Sequence, residues 1–332
     1  MSEAAIAPRT PPFWQKALPW LITLVCFGFL WSRVHGAAGR AGMDVGAYMA
    51  RVLEGVRWGP WLALMIPYSL LFLLIDTVVI WRVINWFNAP VRLRHVLPIR
   101  ASSYILSIVN EQVGKGAIAV YMNRRHGIPG WEVGSSMLFI MFCEFYYLLA
   151  WATLGYSLSR GTLPPVFHVI PIVAVAALVF FGLWTAYFSG RIASGSTVRD
   201  RAILRAFRLA RPWQYAAVML LRSPAMLAAV VVYTVAAGLF GITVDLRTML
   251  GYLPVIFFGA AVPGPMRTVA ITLWVVLFPG YEGEVTTFAF LQHNFFVFFN
   301  ASIGLIFLRR AYRELFAGTG RTITPSRQAP PS

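Results

Sequence analysis

The feature that most constrains this chain is a set of near-continuous apolar stretches at 14–31, 60–81, 133–158, 166–188, 213–240 and 286–308. Each is close to the ~20 residues a helix needs to cross a hydrocarbon core. Inside lipid every backbone N–H and C=O must be paired within the segment, so only helices or closed barrels can cross. These runs lack the two-residue alternation of barrel strands. The expected fold class is therefore all-α, a polytopic membrane helical bundle. Charged residues are only 12% of the chain, against about a quarter in soluble domains. Counting also the two interrupted apolar stretches at 97–122 and 250–278, the segments outside are each shorter than thirty residues, leaving no room among them for a second folded domain.

Two further stretches are apolar but interrupted. The first, 97–122, contains Asn110, Glu111, Gln112, Gly114, Lys115 and Gly116. The second, 250–278, is broken by Pro263-Gly264-Pro265 with Arg267 just beyond. Arginine placement decides how to read them. If both cross fully, the basic loops are divided between the two membrane faces, against the positive-inside bias. If each is a re-entrant hairpin, 19 Lys/Arg fall on the cytoplasmic side, 6 outside and 3 within the membrane. The acidic residues Glu282 and Glu284 then lie outside. This predicts six spans plus two oppositely oriented re-entrant hairpins, in the inner (cell) membrane, with both termini cytoplasmic.

The same order of span, span, hairpin, span recurs in opposite orientation over 14–158 and 166–308. That pattern is an inverted repeat, a transporter architecture whose site lies where broken helices meet. Residues 1–317 form a single integral membrane domain on this reading, and 318–332, rich in Pro, Ser, Thr and Arg, a disordered cytoplasmic tail. The run 17–31 resembles a signal-peptide core, but no small-x-small cleavage site follows, so it reads as an uncleaved first span. Between the first two spans, 44–58 places Val45, Tyr48, Met49, Val52, Leu53 and Val56 at helical spacing with charges interleaved. It is either an amphipathic interfacial helix or a loop helix packed on the bundle.

Net charge is +16, and 26 of the 28 basic residues are arginines. Most sit in short loops flanking apolar runs, where they set topology and meet anionic headgroups. With no RNP-like or zinc-finger spacing, nucleic acid is not an expected partner. Cys26 and Cys143 each lie inside an apolar run and read as packing thiols. There is no HExxH, Walker A or GxSxG sequence and no carboxylate cluster with metal spacing, so neither an enzyme nor a metal or cofactor is expected.

Six ionisable side chains remain inside the predicted spans and hairpins: Asp76, Glu111, Lys115, Glu144, Arg222 and Arg267. Such groups face a cavity or a partner. Glu111 and Lys115 stand four apart, in the order that favours a helical ion pair, beside Gly114 and Gly116, which allow a sharp turn or close ligand approach. They either meet an anionic headgroup or solute, or form a salt bridge that lets the hairpin enter the bilayer. Arg267, after the Pro-Gly-Pro break at Gly264, matches phosphate oxygens bidentately, or else snorkels outward. Glu144 and Asp76 pair across helices or carry a proton. Arg222 precedes Ser223-Pro224, where a kink frees carbonyls. Gln292, His293, Asn294 and Asn300 give the last span a polar stripe, with His293 read as a hydrogen-bonding packing residue.

The segment Ile108-Val-Asn-Glu-Gln-Val-Gly-Lys-Gly-Ala, continuing through Tyr121-Met-Asn-Arg-Arg-His-Gly-Ile-Pro to Glu144, resembles the membrane region of lysylphosphatidylglycerol synthases and their stand-alone flippase-like relatives. A Gly-rich re-entrant segment, an Arg-Arg-x-Gly turn and a span glutamate fall on Gly114, Gly116, Arg124, Arg125, Gly127 and Glu144. Trp81-Arg82 and Pro263-Gly264-Pro265-Met266-Arg267 are similar to two further family features. The sequence departs from the pattern at Gly116 and Ala119, at Phe145 after Glu144, and at Thr268 after Arg267. The resemblance implies a lipid translocase moving a polar or phosphate-bearing headgroup between the two hairpins, while the acyl chains stay in the bilayer. Its partners would be membrane lipids, anionic or polyprenyl-linked, with a membrane or cytoplasmic protein as a further possible partner. Two other readings use the same residues: a secondary transporter of a small anionic solute, and a non-transporting subunit whose internal charges only pair.

Overall fold

The computed structural model describes residues 13–107, 111–159, 161–192, 195–262 and 267–316, without the side chains of 13–19, 22, 107, 111–115 and 314–316. Among the described residues the chain is helical throughout, with no strand. Five helices are long and apolar enough to cross a membrane. They are α3 (Trp58–Phe87), α6 (Gly130–Leu158), α7 (Val169–Phe188) with its leading 3-10 turn Pro165–His168, α9 (Pro212–Gly238) and α12 (Glu282–Phe316). These make the chain an integral membrane protein. The predicted first span lies within α1 (Phe13–Arg40).

Both interrupted stretches break into helix pairs. α4 (Leu93–Ser107) packs on α5 (Glu111–His126), and α10 (Leu246–Ala261) packs on α11 (Thr268–Leu277). These helices have 15, 16, 16 and 10 residues. At 1.5 Å per residue none reaches the ~30 Å of a hydrocarbon core. Gly114 and Gly116 do not make the turn expected of them. α5 runs through both, and 108–110 lie outside the described residues. Gly264 lies outside them too, as does the rest of 263–266.

Polar side chains within the apolar helices mostly bond their own backbone one turn back. Thr77 Oγ1 donates to the Leu73 carbonyl at 2.7 Å, Thr234 Oγ1 to Val230 at 2.7 Å, Ser223 Oγ to Met219 at 3.0 Å, and Asn300 Nδ2 to Phe296 at 2.8 Å. Such a bond satisfies a hydroxyl or amide without a water partner. The prolines inside α3, α4, α9 and α10 (Pro67, Pro98, Pro224 and Pro254) are tolerated for the related reason that neighbouring groups can take up freed carbonyls.

The chain divides into two compact units. The first comprises 1–65, 148–175 and 227–295. Its core is aromatic: Trp274 packs edge-on against Phe288 at 5.2 Å, and Tyr252 against Phe278 at 5.2 Å. α1 packs on α11 there, and also on α2 (Val45–Glu54). The stretch 44–58 thus holds a helix, as both readings of it require, and its Asp44 Oδ1 accepts the first-turn N–H groups of Gly46 and Ala47. Tyr48 of α2 donates to Glu284 Oε1 at 3.1 Å. Burial and the Glu284 carboxylate push the phenol up to about 12. Arg40 binds Glu282 at 3.0 Å.

The second unit comprises 66–147, 176–226 and 296–332. Its core groups Phe139, Phe142, Trp184, Phe207 and Tyr215, with Phe139 to Tyr215 at 4.7 Å and Trp184 to Phe207 at 5.1 Å. Phe207 comes from the short helix α8 (Arg205–Leu209). Arg205 pairs with Glu132, and Ser135 accepts the Ala206 N–H at 2.8 Å. The turn after α3 is closed by Trp81 Nε1 donating to the Val91 carbonyl at 2.8 Å, while Asn85 both donates to and accepts from Val91. By sequence this unit carries 19 Lys/Arg against 6 Asp/Glu, and the first unit 9 against 6.

Candidate functional site

The second unit brings four charged side chains from four helices into one buried cluster. Asp76 comes from α3, Arg100 from α4, Glu144 from α6 and Arg222 from α9. Arg100 Nε donates to Asp76 Oδ2 at 2.5 Å. Arg222 Nη2 lies 3.4 Å from Asp76 Oδ1, and its Nη1 lies 3.3 Å from Glu144 Oε1. Among the described residues, two acids and two bases balance in charge. Neutral pairing is what permits charge in a low-dielectric interior, since an unpaired ion there carries a desolvation penalty of several kcal/mol.

Arg100 is also held by its own helix. Arg100 Nη1 donates to Ser103 Oγ at 3.0 Å, Ser103 Oγ donates back to the Arg100 carbonyl at 2.7 Å, and the guanidinium lies 4.5 Å from the Tyr104 ring centre. The three contacts follow from i, i+3 and i, i+4 spacing on one helical face. Tyr147, one turn beyond Glu144 less a residue, donates its hydroxyl to the Arg222 carbonyl at 3.1 Å. The α6–α9 contact is therefore made twice, by side chains and by backbone.

The cluster is asymmetric. The side chains of Asp76, Arg100 and Arg222 are 8%, 3% and 8% exposed, whereas that of Glu144 is 35% exposed. Arg222 Nε is buried without a hydrogen-bond partner among the described residues. One side of the cluster is thus accessible, and the arginine behind that side has an unused donor. Chemically, the arrangement can exchange its exposed carboxylate for another oxyanion while Asp76 stays in place.

Asp76, Glu144 and Arg222 were expected as a site from their positions within apolar spans, and the fold brings all three together. Arg100 was not. By sequence it lies close to the basic residues Arg92 and Arg94, yet it is the most buried charge of the four. The available signal was its position inside the interrupted apolar stretch 97–122, two residues after Pro98. Glu111, Lys115 and Gly114 sit on α5 with side chains outside the described residues, while Gly116 is exposed.

Arg267 belongs to the first unit. It is the one described non-glycine residue with positive φ, at φ 52° and ψ 37°, immediately before α11. Left-handed backbone at a non-glycine position costs about 1–3 kcal/mol. Its guanidinium acts electrostatically on His293 of α12. His293 is buried, and next to it Gln292 Nε2 donates to the Tyr233 hydroxyl at 2.5 Å.

Two concavities of about 560 and 580 Å³ also lie in the first unit, at helix ends near Asp245 and near Arg40. Neither includes a member of the charged cluster. No group of three or more His, Cys, Asp or Glu side chains among the described residues is arranged to hold a metal. Cys26 and Cys143 are both unpaired. No protein-family model, curated protein or solved structure matches this chain.

Proposed function

We propose that this protein is a flippase-like lipid translocase of the inner membrane, with six spans, two oppositely oriented re-entrant helix pairs related as an inverted repeat, and cytoplasmic termini. The observation that carries the reading is the accessible Glu144–Arg222 pair backed by the buried Asp76–Arg100 pair. A phosphate-bearing headgroup would displace Glu144 from Arg222, because guanidinium pairs with phosphate as readily as with carboxylate. Asp76 and Arg100 would hold Arg222 in position during the exchange. Glu144, once released, would take a proton or a cationic group of the headgroup. The acyl chains would remain in the bilayer.

Two features support this placement. The helix pairs α4–α5 and α10–α11 are too short to span, as re-entrant elements are. The excess of basic residues in the second unit agrees with the positive-inside bias if its loops face the cytoplasm. The resemblance to the lysylphosphatidylglycerol synthase membrane region fits the same architecture. A second reading is favoured by the fact that the four charges already pair with one another: a non-transporting subunit in which the cluster only fastens helices.

Proteoliposomes carrying headgroup-labelled lipids and a membrane-impermeant quencher separate the two. Translocation predicts faster equilibration between leaflets with wild type, lost in Glu144→Gln, Lys115→Gln and Arg267→Gln preparations that keep native helicity and melting behaviour. No acceleration with any of several anionic and polyprenyl lipids would leave the subunit reading.

A further inference from the structure

One concavity of the first unit, of about 560 Å³, is built from two segments that the charged cluster does not involve. One is the start of α10 with the loop before it, carrying Thr243, Asp245, Thr248 and Tyr252; the other is the turn from Phe278 to Tyr281 that joins α11 to α12. Thr248 and Tyr252 are four residues apart, which places them on one helical face. In the turn, the Phe278 carbonyl accepts the Tyr281 N–H at 3.2 Å, with Gly280 between them at φ 91°. Glycine adopts that backbone without the strain a side chain would bring, so Phe278-Pro-Gly-Tyr281 sets two rings on either side of a tight bend. The Thr243 and Tyr281 hydroxyls bond each other at 2.7 Å and tie the two segments together.

Three aromatic rings and one carboxylate line this cavity. Tyr252 and Phe278 are buried and meet edge to face, with centroids 5.2 Å apart and planes at 77°. Tyr281 is half-buried, and Asp245 is exposed. Asp245 Oδ1 accepts the N–H groups of Arg247 and Thr248 at 2.8 and 3.1 Å, and its Oδ2 accepts the Thr248 hydroxyl at 2.7 Å. A carboxylate has about four acceptor positions, so one stays open after these three bonds. The bonds from Thr248 also hold this carboxyl below the usual carboxylate range, which keeps it charged at neutral pH. No lysine, arginine or histidine lines the cavity among the described residues. In the other concavity, by contrast, Arg40 and Arg51 stand with Glu282 and Glu284, so charges of both signs answer one another.

A fixed negative charge beside aromatic rings, with no base, selects a cation, and the volume is that of a small-molecule site. A metal ion such as calcium asks for about six or more oxygen ligands, which one carboxylate does not supply. Aromatic rings instead favour a large, weakly hydrated organic cation. We propose that the cavity between Asp245 and Tyr281 is a binding site for an organic ammonium group of the quaternary kind found in choline. The cationic nitrogen would face the Asp245 carboxylate, with its methyl groups against the aromatic wall. A free cation and a lipid headgroup offer the same group. The proposal does not rest on the translocase reading, because the site uses none of Asp76, Arg100, Glu144 and Arg222.

Thermal melting of the full-length protein in maltoside detergent tests it. Choline chloride is titrated against sodium chloride at equal ionic strength, and in a second arm phosphatidylcholine is compared with phosphatidylglycerol in the micelles. The expected result is a saturable rise in Tm with choline, with phosphatidylcholine or with both. A shift with choline assigns a site open to free cations, and a shift with phosphatidylcholine alone assigns a headgroup site. Asp245→Asn keeps a capping acceptor for α10 while removing the charge. Its ligand-free Tm should therefore stay near wild type, while the half-saturating concentration rises about two- to fivefold. Tyr281→Leu should weaken binding by a similar factor, whereas Tyr281→Phe, which keeps the ring, should bind like wild type. No shift beyond that with sodium or phosphatidylglycerol, or a shift that Asp245→Asn and Tyr281→Leu leave unchanged, overturns the proposal. Equal losses in Tyr281→Phe and Tyr281→Leu would deny the ring its part and overturn it too. Transport assays on the Glu144–Arg222 cluster fail or succeed independently of this outcome.

Discussion

Arg222 holds Asp76 with one guanidinium nitrogen and Glu144 with the other, at 3.4 and 3.3 Å, and so ties α9 to α3 and α6 through a single side chain. The two carboxylates it bridges have different surroundings. Asp76 is shared with Arg100 and is enclosed, whereas Glu144 opens outward. The cluster therefore has a structural end and an exchangeable end.

That difference has a measurable consequence. Removing one partner from a buried ion cluster leaves uncompensated charge and costs about 3–5 kcal/mol. Asp76→Asn is expected to fall in that range. Asp76→Asn combined with Arg100→Gln should cost well under the sum of the single changes, giving a coupling energy of about 1–3 kcal/mol. Glu144→Gln, at the more exposed end, is expected to cost under about 1 kcal/mol. Reversible unfolding in mixed micelles measures all four. Equal losses for Asp76→Asn and Glu144→Gln would contradict the two-ended cluster.

Two glycines set close helix approaches. A Cβ at Gly155 would lie 2.6 Å from Gly251 Cα and 2.7 Å from the Leu250 carbonyl oxygen, both backbone atoms of α10 that cannot swing away. At Gly304 it would lie 2.6 Å from the Ala101 carbonyl of α4. Small residues at such contacts let helix backbones touch where no hydrophobic effect drives them together. Gly155→Ala and Gly304→Ala should each destabilise by about 1–3 kcal/mol, the usual range for overpacking. Gly182→Ala, with nothing within 4 Å of the added carbon, is the control. A neutral Gly155→Ala melt would refute the contact.

The contact between α2 and the start of α12 in the first unit should titrate in alkali. Tyr48 is held above its ordinary value, to about 12, by burial and the Glu284 carboxylate. A folded-state pKa above the unfolded value of 10.0 means the native form binds the proton more tightly. The contribution is complete below pH 10, declines between 10 and 12, and is gone above the folded pKa. Tyr48→Phe should remove this component, flattening the loss of Tm in that window. Glu284→Gln should shift its midpoint downward. An unchanged alkaline profile in Tyr48→Phe would assign the effect to other groups.

Much of the architecture is a consequence of the sequence alone. Apolar runs long enough to cross hydrocarbon must be helical because their backbone has no other hydrogen-bond partner, and α3, α6, α7, α9 and α12 follow directly. The two interrupted stretches are marked by their polar and Pro-Gly-Pro interruptions, and each holds a pair of short helices. α2 is legible from its spacing. The charged cluster is legible only in part. Asp76, Glu144 and Arg222 stand out because an ion in an apolar run requires a partner, but nothing local says which partner. Arg100 shows the limit most clearly. In sequence it belongs with Arg92 and Arg94 in a basic segment. Only the packing of α4 against α3 turns it inward onto Asp76, because the cost of burying that carboxylate is offset by a guanidinium from another helix. Local sequence carries the hydrophobic and backbone terms, whereas pairing between distant charges is a property of the tertiary structure.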